Sequence, residues 1–100
     1  MRLRATVDKD GVTEVRVLIT HPFENGLRKQ DGKPIPAKFV KVMQVRLGET
    51  VLAQVRMSGG VSADPIVSVK FTGPKPGDRL MVVLEDNQGE KSSDSVLVAE

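Results

Sequence analysis

Seven short stretches of this chain alternate apolar and polar side chains, and none carries the 3.6-residue repeat of a capped helix. A period of two places every second side chain on one face of a strand. Leu3, Ala5 and Val7 share a face over residues 2–7. Val15, Val17 and Ile19 oppose Glu14, Arg16 and Leu18 over residues 12–20. Val67, Val69 and Phe71 oppose Ser68, Lys70 and Thr72 over residues 66–72. Residues 39–47, 50–57, 79–86 and 92–98 complete the set, with turn signals between them. Asp8-Lys9-Asp10-Gly11 is one such signal; Gly48-Glu49, which admits the positive φ of a two-residue hairpin, is another. The pattern predicts an all-β fold, an immunoglobulin-like antiparallel β-sandwich of about seven strands, as a single domain over residues 1–100.

Two regions are apolar on both faces, whereas a sandwich strand needs only one apolar side. Over residues 79–86, Leu80, Val82 and Leu84 point one way and Met81 and Val83 the other. In the hairpin before it, strand parity groups Val40, Val42, Val51, Val55 and Met57 against Met43, Val45, Leu47 and Leu52. The second apolar face must be covered by a loop, by strand curvature or by another protein. Met43, Val45, Leu47, Met81 and Val83 are the residues expected to contribute to a partner interface.

Residues 20–38, THPFENGLRKQDGKPIPAK, separate the second and third strands. Three prolines and two glycines rule out continuing either strand as a regular ladder. A connection of this length in a compact domain generally has a job. Phe23, Leu27 and Ile35 give it something to pack with. Arg28, Lys29, Lys33, Lys38 and Lys41 cluster around it, as a solvated face or a docking site for an acidic partner.

The chain has no cysteine, so no thiolate nucleophile, disulfide or cysteine-ligated metal is available within it. Its 15 basic and 13 acidic side chains give a net charge of +2. With three phenylalanines and no tyrosine or tryptophan, it lacks the stacking platforms of a nucleic-acid binder, and no such partner is expected. No apolar run approaches the ~20 residues of a membrane-spanning helix, and the MRLRATV start lacks the apolar stretch of an export signal.

His21 is the only histidine, with Glu24 and Asp31 near it in sequence and Thr20 as the only close hydroxyl. A catalytic nucleophile needs a base and an orienting group in contact, so His21 reads better as a loop anchor. One histidine and scattered carboxylates match no metal-ligand spacing, and Asp8, Asp10 and Glu14 do not make a calcium loop because Lys9 breaks the acidic run. No catalytic residue, metal or cofactor is expected. A small-ligand or metal-binding sandwich built on His21 and the loop acids is the alternative from another class, and a homodimeric scaffold module is a third.

Several motifs, in order, resemble the Z-subunit family of the SoxYZ sulfur carrier. His21-Pro22-Phe23-Glu24-Asn25-Gly26-Leu27-Arg28-Lys29 is similar to that family's HPMETGxR signature. Gly32-Lys33-Pro34-Ile35-Pro36-Ala37-Lys38-Phe39-Val40 resembles its GxxIPxxFI segment, and Ser58-Gly59-Gly60-Val61-Ser62-Ala63-Asp64-Pro65 its GxGVSxNP loop. Val69-Lys70-Phe71-Thr72-Gly73 with Gly77-Asp78 resembles its KFKG…GD run, and Asp86-Asn87-Gln88-Gly89 its DNxG turn. Phe23, Asn25 and Asp64 depart from the pattern.

The resemblance implies a non-catalytic subunit in thiosulfate and sulfur oxidation. Its partner would be a Y subunit that carries sulfur on a cysteine of its carboxyl-terminal arm, with transient contacts to the enzymes of the Sox system. It also implies a periplasmic location reached by co-export with a signal-bearing Y subunit. Related carriers accompany quinoprotein dehydrogenases. The implied signature loop comprises His21, Pro22, Phe23, Glu24, Gly26, Arg28, Lys29, Lys33, Ile35 and Pro36.

Overall fold

A computed structural model of the chain describes residues 1–19, 29–34, 38–57 and 66–100. Most of the signature loop (His21, Pro22, Phe23, Glu24, Gly26, Arg28, Ile35 and Pro36) and the glycine-rich connection at residues 58–65 lie outside the described residues.

Alternation becomes strand wherever it was expected. The described strands are β1 (Arg2–Val7), β2 (Val12–Leu18), β3 (Lys29–Gln30), β4 (Lys33–Pro34), β5 (Val40–Leu47), β6 (Thr50–Arg56), β7 (Ile66–Thr72), β8 (Arg79–Asp86) and β9 (Lys91–Leu97). Three of them form one antiparallel sheet in the order β1-β2-β7, and four form a second in the order β6-β5-β8-β9. The first, second and fifth of the seven long strands thus sit together, opposite the other four. That is the two-sheet partition of an immunoglobulin-like sandwich.

Each sheet turns one face inward. Ala5, Val15 and Val17 come from the three-stranded sheet, and Ile19 from just past the end of β2. They meet Val40, Met43, Val45, Leu80, Val82 and Leu84 of the four-stranded one in a single buried cluster. Val98 closes one end of that cluster. After β9 the chain crosses from one sheet to the other. Ala99 makes a parallel bridge to Thr6, donating its N–H to the carbonyl of Ala5 at 3.0 Å and accepting from the N–H of Val7 at 2.9 Å. This crossing ties together the two sheet edges formed by β1 and β9.

Turn chemistry sets the strand ends. Asp8 Oδ1 accepts the N–H groups of Asp10 and Val12 at 2.8 and 3.0 Å, an Asx turn that launches β2. Gly48 takes φ +60° as the first of two residues between β5 and β6, the conformation a type II′ hairpin requires of that position.

Inside the long connection the structure differs from expectation. Residues 20–38 were expected to contain no ladder, yet β3 and β4 pair as a two-residue hairpin, Lys29 with Pro34 and Gln30 with Lys33. Asp31 and Gly32 form its turn, with φ of 52° and 76°. Two successive positive φ values define a type I′ turn, for which Asp-Gly is among the strongest sequence signals. The prolines prevent this segment from extending β2 or β5, but they do not prevent it from pairing with itself.

Candidate partner interface

The outer face of the four-stranded sheet carries the apolar surface that the sandwich leaves over. Register defines it row by row. Val51, Arg46, Met81 and Ser95 stand side by side across β6, β5, β8 and β9. Gln54, Gln44, Val83 and Ser93 form the next row. Arg56, Val42, Glu85 and Lys91 form the third, and Arg79 faces Leu97 at the other end. Val51, Met81 and Leu97 are 46%, 45% and 52% exposed, and Val42 and Val83 are half-buried.

Most polar groups at the centre of this face are already tied to one another. Gln44 Nε2 donates to Gln54 Oε1 at 2.8 Å, and Arg46 donates to Gln44 Oε1 through Nε at 3.0 Å and through its second guanidinium nitrogen. Near one end Arg79 donates to Ser95 Oγ at 2.9 Å. Toward the other end Lys41 lies 3.8 Å from Glu85, and an open depression runs along Lys41, Val42, Gln44, Gln54, Arg56 and Glu85. Half-exposed aliphatic side chains around a hydrogen-bonded Gln44–Gln54–Arg46 cluster, with the other charges toward the margins, make this face a candidate for contact with another protein.

Only some of the residues expected at a partner interface stand on this face. Met81 and Val83 do. Met43 and Val45 do not: both are fully buried, and their register partners on β8 are Leu84 and Val82, the inward-facing residues. Leu47 pairs with Leu80 and packs partly buried against the same core. The grouping of Met43, Val45 and Leu47 with Met81 and Val83 is therefore corrected, because the two sets point to opposite sides of the sheet.

The parity grouping of the hairpin fails for a related reason. Register slips between Val40 and Val42 on β5, and again where Val45 and Arg46 pair with Ala53 and Val51. A β-bulge inserts one unpaired residue and switches which positions share a face. Val40 is consequently buried in the core, and Val55 and Met57 pack against it, while Val42 and Val51 stand outside. The sequence did hold a signal for the correct assignment. Gln44 and Arg46 alternate with Met43, Val45 and Leu47, as Gln54 and Arg56 do with Ala53 and Val55, so the polar residues mark the outer face.

Of the loop cations, Lys33 is exposed, Lys38 Nζ donates to Glu90 Oε2 at 3.0 Å, and Lys41 pairs with Glu85. Carboxylates thus already face two of the five members of that expected docking cluster. The backbone of Lys29 lies in β3. His21, on which both the catalytic and the metal readings turned, lies outside the described residues. Among the described residues, no group of three or more histidine, cysteine, aspartate or glutamate side chains could hold a metal ion. No helix there is long and apolar enough to cross a membrane.

A family model described as "Sulphur oxidation protein SoxZ" matches residues 1–97 of the 100-residue chain. The chain belongs to the SoxZ family. Membership ties it to the Sox sulfur-oxidation system, whose SoxZ subunits are generally non-catalytic and associate with Sox partners such as SoxY. No curated protein matches the chain. With no cysteine, this SoxZ family member has no thiol on which sulfur could be carried.

Proposed function

We propose that this chain is the non-catalytic half of a sulfur-carrier heterodimer, holding a cysteine-bearing SoxY-like subunit against the outer face of its four-stranded sheet. One observation carries the reading. In a SoxZ-family chain without cysteine, that face presents Val42, Val51, Met81, Val83 and Leu97 around amides already hydrogen-bonded to each other. Covering it removes apolar area from water at about 25 cal/mol per Å², and the Gln44, Gln54 and Arg46 side chains keep the hydrogen bonds they already make to one another. The carrier's sulfur stays on the cysteine of the partner's arm, and the SoxZ chain stabilises that subunit and presents it to the Sox enzymes. The pair works in the periplasm, reached by co-export with the Y subunit.

Co-expression with a cysteine-armed Y subunit, followed by size-exclusion chromatography, tests the pairing. The expected result is one co-eluting species at micromolar concentration, and two separate peaks would sink the proposal. A homodimer of the chain alone would leave the two outcomes as distinct as before, since the apolar face can pair with itself when the partner is missing. Location is tested separately. Cell fractionation with and without the Y subunit's export signal should move the SoxZ chain between periplasm and cytoplasm.

A further inference from the structure

The outer face of the other sheet has the opposite character. Register places Arg4 of β1 directly opposite Arg16 of β2, with Arg2 two residues along the same face. On the third strand, Lys70 stands opposite Glu14. These four cations and one carboxylate give the face a net charge of +3, against +2 for the entire chain.

Glu14 is shared, lying 3.8 Å from Arg16 and 3.9 Å from Lys70, whose side chains are 62% and 68% exposed. Among the described residues, no carboxylate pairs with Arg2 or Arg4. Like charges directly opposite one another on a sheet destabilise it, so the Arg4–Arg16 pair is not there to hold β1 against β2.

We propose that this face is a docking site for an acidic surface on a second folded protein. Three of the four cations are arginines, whose planar forks match carboxylates two bonds at a time. Beside them the row Arg2–Leu18–Ile66 supplies an apolar footing, with Ile66 69% exposed. Arginine next to exposed aliphatic surface is the composition of a protein contact. No aromatic side chain of the described residues stands on this face, since Phe71 points inward, so bases would find nothing to stack on. The site lies on the far side of the sandwich from the apolar face, so both can be engaged at once. It does not rest on the carrier reading.

The test is NMR titration of the full chain with poly-L-glutamate at low salt, with a DNA duplex of matched charge run in parallel. Amide shifts are expected over residues 2–6, 14–18 and 66–70, with affinity falling as salt is added. The double variant Arg4→Gln/Arg16→Gln should weaken binding on the order of tenfold, the effect of two exposed ion pairs. Arg2→Gln should weaken it less, and the control Lys75→Gln/Lys91→Gln, which removes the same charge elsewhere, should leave it within about twofold. Equal losses in the double variant and the control would overturn the proposal. So would shifts centred on another face, or tighter binding of DNA than of poly-L-glutamate.

Discussion

Phe39 and Asn87 hold one another across the sandwich edge: the Phe39 N–H donates to Asn87 Oδ1 at 2.9 Å, and the Asn87 N–H donates to the Phe39 carbonyl at 3.0 Å. The pair fastens the start of β5 to the turn between β8 and β9, where the long connection re-enters the sheet. Changing Asn87 to alanine removes one acceptor and should cost about 1 kcal/mol. Asn87→Asp keeps an oxygen in place and should cost less. Urea unfolding measures both, and hydrogen exchange at the Phe39 amide should quicken only in the alanine variant.

Asp86, one residue earlier, is 1% exposed, yet it is a carboxylate. Its Oδ1 accepts the N–H groups of Gln88 and Glu90 at 2.9 and 2.8 Å, and its own N–H donates to the Glu90 carbonyl at 2.9 Å. A buried carboxylate is tolerated only where it is hydrogen-bonded, and here the turn's backbone supplies two donors to Oδ1. Asp86 thus builds the turn that the Asp86-Asn87-Gln88-Gly89 motif encodes. Asp86→Ala should cost about 3 kcal/mol through two lost charge-assisted bonds, and Asp86→Asn roughly half as much. The chemical-denaturation midpoint, read at an unchanged slope, is the check.

Strand positions were legible because burial on one side imposes a period of two, and turn residues such as Gly48 and Asp8 mark where it stops. The facing of Met43, Val45 and Leu47 was not, because parity describes one strand and a face belongs to several. Two bulges, each costing a single residue, break the parity between strands without any special residue type to announce them. The hairpin at Asp31-Gly32 was legible in principle from its turn pair, but the surrounding prolines argued against any ladder. The basic face was legible only in part. Arg2, Arg4, Arg16 and Lys70 alternate correctly within their strands, but sequence does not say that β1, β2 and β7 lie side by side.

Thr13 offers a test of the core rather than of a site. It is fully buried on β2, opposite Val7 and Phe71, and its hydroxyl has no hydrogen-bond partner among the described residues. An unsatisfied buried hydroxyl costs free energy that an apolar group of the same branching does not. Thr13→Val keeps the β-branched shape and should stabilise the chain by about 1 kcal/mol, raising Tm by roughly 5 °C. Thr13→Ser should lower it, because the hydroxyl stays and a methyl is lost. Calorimetry of the three proteins gives the order directly.

The last prediction separates the core face of the four-stranded sheet from its outer face with one substitution on each. Val45 and Met81 sit on adjacent strands, one fully buried and one 45% exposed. Val45→Asp places a charge in the sandwich interior and should cost more than about 4 kcal/mol, enough to unfold most of a domain this small. Met81→Asp leaves its charge in water while the chain is alone, so monomer stability should change by less than about 1 kcal/mol. On pairing, that charge would be buried without a partner, at a cost of about 2 kcal/mol or more, or roughly thirtyfold in Kd. Val83→Asp, in the neighbouring row, should behave as Met81→Asp does, since its side chain shares the outer face. Circular dichroism measures the folding arm and calorimetric titration with the Y subunit the pairing arm. A Met81→Asp chain that folds and still binds at unchanged Kd would place the partner on some other surface.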